Sequence, residues 1–161
     1  MTAVLSLDGK PSVSEFSLAL LILPLGYLVM SVIERKVWTW PIVVAGIGLV
    51  VGLRVQTAVD PVTTLVGISL CVLVLGIIRE TSRRNRDFRL QVMGLFIFTT
   101  LALLAMTVDP TTATWVVAAG WFGHGIWDLA HLIRKRVVSA SFAEWCGVFD
   151  IGIAVQLILI H

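Results

Sequence analysis

A chain of 161 residues that is 58% apolar and 14% charged, with a mean hydropathy of +0.97 and a net charge of +2, is too oily for a water-soluble domain. Nucleic-acid binding is set aside, because no basic patch interleaved with aromatic residues occurs. The two cysteines, Cys71 and Cys146, stand singly in apolar runs without CxxC spacing and read as buried free thiols.

From the N-terminus, "MTAVLSLDGKPSVSE" lacks a basic opening and is followed by a full-length apolar run, so it reads as a polar lead-in and not a cleavable signal. Six apolar runs then follow, each close to the roughly 20 residues that cross a bilayer as a helix. They cover residues 16–33, 40–55, 62–78, 88–106, 112–133 and 143–160 to within a few positions. Barrel strands would alternate with a period of two, and no such alternation is present. The expected fold is therefore all-α: one polytopic membrane domain over residues 1–161, with six transmembrane helices in three hairpins.

The loops alternate in charge. "ERKVW", "RETSRRNRDFR" and "RKRVVSAS" are basic, whereas "QTAVDP" and "MTVDPTT" contain no Lys or Arg. Of the 12 Lys and Arg residues, only Lys10 and Arg54 lie outside the basic loops. Cationic loops stay on the cytoplasmic side, which predicts both termini outside and a multi-pass location in the cell membrane. Trp38, Trp40 and Trp145 at the inner boundary and Trp115 at the outer one fit interfacial anchoring. Arg54 is expected to snorkel to the outer boundary, with lining a cavity or meeting Asp60 as the lesser alternatives.

Two outer turns share Val-Asp-Pro, at Asp60 and Asp109. The repeat reflects either a pseudo-symmetric hairpin unit or simply the aptness of Asp-Pro for starting a helix. In the second run Gly48 and Gly52 are four apart, and "AAGWFGHG" crowds small residues into the fifth; both are expected at close helix contacts. Gln91, Thr99 and Thr100 in the fourth run are placed to hydrogen-bond across helices.

The fifth run departs from the others. "GWFGHGIWDLAHLIRKR" places His124, Asp128 and His131 within an arc of about 60° on one helix face. Ionisable side chains in lipid are costly, so this stripe is expected to face the protein interior. At about 1.5 Å per residue, His131 lies near the inner boundary and His124 close to the midplane. The sixth run enters from the same side. It places Glu144 near the mouth and Asp150 roughly 9 Å deeper, on the face that carries Cys146. Glu144 and Asp150 are about 120° apart, so both cannot point at the fifth helix.

Three chemistries suit such a cluster. An Asp can orient a His that exchanges protons. The same groups can bind a metal, which from a single straight helix would need Asp150, Glu144 or Cys146 as further donors. Or they pair to lock the bundle. Proton chemistry is the favoured expectation, with no metal and no cofactor. His124, Asp128, Asp150, His131 and Glu144 are then the catalytic candidates, and Trp121, Trp127 and Cys146 line a substrate pocket. The expected function is a cofactor-independent isomerase, cyclase or hydrolase acting on a lipophilic compound drawn from the bilayer. A small proton-coupled carrier, most simply a homo-oligomer, and a structural subunit of a membrane assembly are the alternatives. An enzyme calls for a cavity that reaches Asp128, and a carrier for a polar path toward both faces.

Overall fold

A computed structural model describes residues 13–79 and 86–160. Among these the chain is helical throughout, without strands. The six long helices are α1 (Val13–Ile33), α2 (Thr39–Val55), α3 (Pro61–Ile78), α4 (Arg86–Ala105), α5 (Pro110–Arg134) and α6 (Ala140–Ile160), with one 3-10 turn at Lys36–Trp38. Five segments are long and apolar enough to cross a membrane: Val13–Ile33, Lys36–Val55, Pro61–Ile78, Arg86–Ala105 and Ala140–Leu159. The remaining helix, α5, is the longest at 25 residues but carries the polar stripe. Lys10, Arg83, Arg84 and His161 lie outside the described residues.

The Val-Asp-Pro repeat has a local cause. Asp60 accepts the amide of Thr63 at 2.7 Å, and Asp109 accepts that of Thr112 at 3.1 Å, each capping a helix that opens with proline. The carboxylate satisfies one of the unpaired N–H groups of the first turn, and proline donates no hydrogen there to be lost. Bonds from the amide and hydroxyl of Thr63 hold Asp60 below the usual carboxylate range; the hydroxyl and amide of Thr112 do the same for Asp109.

Packing is uneven. The α5–α6 hairpin is the most extensive contact, followed by α1 on α4, α4 on α5 and α1 on α3. A glycine crossing permits the first. A Cβ added to Gly125 would lie 2.7 Å from Ile151 and 3.2 Å from the Gly147 carbonyl; one on Gly147 would lie 3.2 Å from Asp128. Gly120 makes a similar notch for Leu20 of α1, and Gly94 of α4 for the indole of Trp127. Small residues in α5 therefore bring backbones close, as expected. Gly48 and Gly52 do not: nothing lies within 4 Å of a Cβ at either, because α2 turns that face outward.

Two other expectations are corrected, the first by the same outward facing of peripheral helices and the second by a neighbour on α1. Cys71 on α3 is exposed and only Cys146 is buried. Arg54 pairs with Glu15 of α1 at 2.6 Å instead of meeting Asp60. At the opposite end of the bundle, the Lys36 ammonium donates to the carbonyl of Lys135, and Arg136 meets Asp87 at 2.8 Å. These contacts draw the basic α1–α2 and α5–α6 connections and the start of α4 to one end. The α5–α6 turn is tight, with Lys135 (φ 50°) and Val137 (φ 71°) in the left-handed region. Thr39 braces it by accepting the amide of Ser139 at 3.1 Å.

Candidate functional site

The polar stripe of α5 faces inward. His124, Asp128 and Asp150 are each 0% exposed, and His131 is 2% exposed. One helical turn stacks His124 above Asp128, and the glycine crossing sets Asp150 of α6 opposite them.

At the centre, Nδ1 of His124 donates to Oδ2 of Asp150 at 2.7 Å. Oδ2 of Asp128 lies 3.4 Å from the same nitrogen, an ion-pair distance without a hydrogen bond. Tyr27, about two-thirds of the way along α1, donates its hydroxyl hydrogen to Oδ1 of Asp128. The thiol of Cys146 faces Oδ1 of Asp150 at 3.8 Å. Phe98 and Tyr27 meet the His124 ring edge-on, with centroids 4.9 and 5.6 Å away. Two buried polar atoms have no hydrogen-bond partner among the described residues: Nε2 of His124 and Oδ2 of Asp128. Such atoms are rare in folded proteins, because each forfeits its hydration without replacement.

Toward the basic end the stripe is fully partnered. Gln91 of α4 donates from its amide nitrogen to Nε2 of His131 at 2.9 Å and accepts the indole N–H of Trp127 at 3.3 Å. Nδ1 of His131 donates to the Trp127 carbonyl at 2.8 Å.

The sequence-based candidates thus divide. His124, Asp128 and Asp150 come together, with Cys146 against them. His131 joins through Tyr27, whose ring it meets at 4.7 Å. Glu144 does not join: it is exposed on the far side of α6, beside Ser141, Trp145, Val148 and Phe149 in a shallow groove that stops short of the centre. The 120° separation from Asp150 is the reason. Trp121 is buried toward the non-basic end, donating to the Phe16 carbonyl at 3.2 Å, and Trp127 is the half-buried partner of Gln91. Both are walls of the bundle in this conformation.

Tyr27 is the residue that sequence reasoning missed. It is the single tyrosine of the chain, placed in mid-span and away from the interfacial belts where its hydroxyl could reach water. A mid-span tyrosine needs a buried partner, and that was the available signal.

Chemically, the centre is an imidazole held at one nitrogen by two carboxylates, with its other nitrogen free. Ligand atoms of His124, Asp128 and Asp150 lie within 4.8 Å of one another. These three donors could also close on one divalent cation at bonds of about 2 Å. Compared with protein-family models, curated proteins and solved structures, the chain matches none.

Proposed function

We propose that this chain is an integral membrane enzyme that acts on a lipophilic substrate by buried acid–base chemistry at His124, Asp128 and Asp150. The single observation that carries the proposal is the asymmetry of His124. Nδ1 is held by Asp150, while Nε2 is completely buried with no hydrogen-bond partner among the described residues. A carboxylate that fixes one imidazole nitrogen sets the tautomer and leaves the other nitrogen's lone pair to take a proton. Asp128, steadied by Tyr27, is the second carboxylate beside that ring and stabilises the imidazolium as it forms.

The membrane setting is part of the proposal. Five of the six helices suit a bilayer, and α5 crosses with them, its polar face covered by α1, α4 and α6. The basic connections gathered at one end face the cytoplasm, leaving both termini outside and the protein in the cell membrane. The substrate is an isoprenoid-, sterol- or polyketide-like compound that enters sideways from lipid. Its route is the seam between α1 and α6, whose backbones stay apart and meet through Tyr27, Met30, Phe142 and Cys146. Isomerisation, cyclisation and epoxide opening need only a base and an acid, and so fit this set.

Lipid extracts of cells expressing the wild-type chain, the Asp128→Asn/Asp150→Asn double variant or an empty vector test the proposal. A compound that accumulates only with the wild-type chain is the expected result, with both proteins inserted at equal level. Extracts identical across all three, or a double variant as productive as the wild type, would overturn it.

A further inference from the structure

Which protons can reach the centre is decided at His131. Its Nδ1 faces the Trp127 carbonyl, which can only accept, so Nδ1 carries hydrogen. Trp127's indole N–H can only donate, so it takes the amide oxygen of Gln91 and turns the amide nitrogen toward His131. Nε2 of His131 must therefore accept. The ring is a neutral imidazole in one tautomer, with both nitrogens occupied. It touches Tyr27 ring against ring, the two planes tilted by 54°, and not through the hydroxyl, which is committed to Asp128. The titratable or charged groups around His131 are Tyr27 of α1 and His124, Asp128 and Arg134 of α5; Cys146 of α6 lies beyond Tyr27, and α4 presents neutral Gln91.

Toward the non-basic end the core is apolar: Leu20, Val117, Ala102, Ala154 and Leu157 fill it. The buried hydroxyls there, Ser17, Ser69 and Thr114, donate to carbonyls of their own helices. Among the described residues, neither direction offers a continuous chain of exchangeable protons.

We infer that the His124 centre is sealed from water on both sides, so that a proton taken from a substrate is returned to the same molecule. This inference rests on the acid–base function proposed above and narrows it to isomerisation of an unsaturated lipophilic compound, excluding hydrolysis and proton-coupled transport. In the step, a C–H bond beside a double bond or carbonyl breaks and Nε2 of His124 gains the hydrogen. The freed electron pair moves the double bond. The N–H then breaks as a new C–H forms at the other end of the shifted system, with no oxidant, reductant or water consumed. Gln91 is a positioning residue that keeps His131 out of proton traffic.

Nitrogen-15 NMR of histidine-labelled protein in lipid bilayers tests the seal, and with three histidines in the chain single substitutions assign the signals. Between about pH 5 and 8, the range in which an ordinary imidazole changes charge, His131 should stay in the Nδ1–H neutral form without moving. Gln91→Glu, which offers a second acceptor, should convert it to the doubly protonated form at neutral pH. A wild-type His131 that titrates with the buffer, or that carries its hydrogen on Nε2, would overturn the seal whatever the variant does. Product formed by membranes suspended in D2O should have the same mass as product formed in H2O; a gain of one mass unit would overturn the internal proton return. Lipid extracts without any product would instead remove the enzymatic function, and the His131 spectrum would still decide the seal.

Discussion

His124 and His131 share one face of one helix, two turns apart, and both are almost completely buried, yet their surroundings differ in kind. His131 meets a carbonyl that only accepts and an amide turned so that it only donates, and both ring nitrogens are satisfied. His124 meets two carboxylates at one nitrogen and nothing at the other. A fully partnered buried polar group rigidifies a bundle, whereas a half-partnered one is costly to keep. The difference separates a clasp from the proposed reactive centre more sharply than burial or residue type does.

Single substitutions test that contrast. The largest effect is expected from Asp150→Asn, which removes the negative charge that anchors the His124 ring and supports its protonation, and should lower turnover by about 10²- to 10⁴-fold, the usual contribution of a positioned base. The lipid-product assay measures it, and helical content by circular dichroism should be retained. Next comes Gly125→Val. Even a Cβ there would press on Ile151 and the Gly147 carbonyl, so the extra bulk should destabilise the hairpin by about 1–3 kcal/mol. The loss would be read as a lower thermal midpoint in detergent, accompanied by lost activity as Asp150 moves away. Gly48→Leu is the control for that site, since its side chain would enter open space on α2; a change within about 0.5 kcal/mol is expected.

Tyr27→Phe removes the hydroxyl that steadies Asp128 and should cost about 1–3 kcal/mol of stability, with about a tenfold fall in turnover. A larger loss than that of Asp150→Asn would shift the centre of the chemistry to Tyr27. The smallest effect lies outside the stripe, at the caps of α3 and α5. Asp60 and Asp109 have folded values below their unfolded ones, so their stabilisation is complete above the unfolded carboxylate range. It fades as pH falls through the lowered folded values. Acidification below about pH 4 should therefore lower the melting midpoint slightly, and Asp109→Ala should shrink that acid-induced drop.

Much of this was legible in the residues. The spacing of His124, Asp128 and His131 dictated a single inward face, and the short connection after Arg134 dictated that α6 would lie beside α5. Asp150 with Cys146 followed from four-residue spacing. What composition could not reveal was the third wall of the site. Tyr27 stands 101 positions from Asp128, in a helix apolar on every side, so no periodicity marks its inward face. Nor does hydrophobicity distinguish helices that are covered from those that face lipid: the second and third runs look as core-like as the first, but bury far less of their surface. The expectations about Gly48, Gly52 and Cys71 failed for that reason.

The most direct comparison sets His124→Gln against His131→Gln, each inserted in membranes at the wild-type level and assayed for the lipid product. Loss of product with His124→Gln, alongside a substantial residue of activity with His131→Gln, is the predicted outcome. Equal activity in the two variants, or a deeper loss at His131, would contradict the assignment of the reactive base to His124.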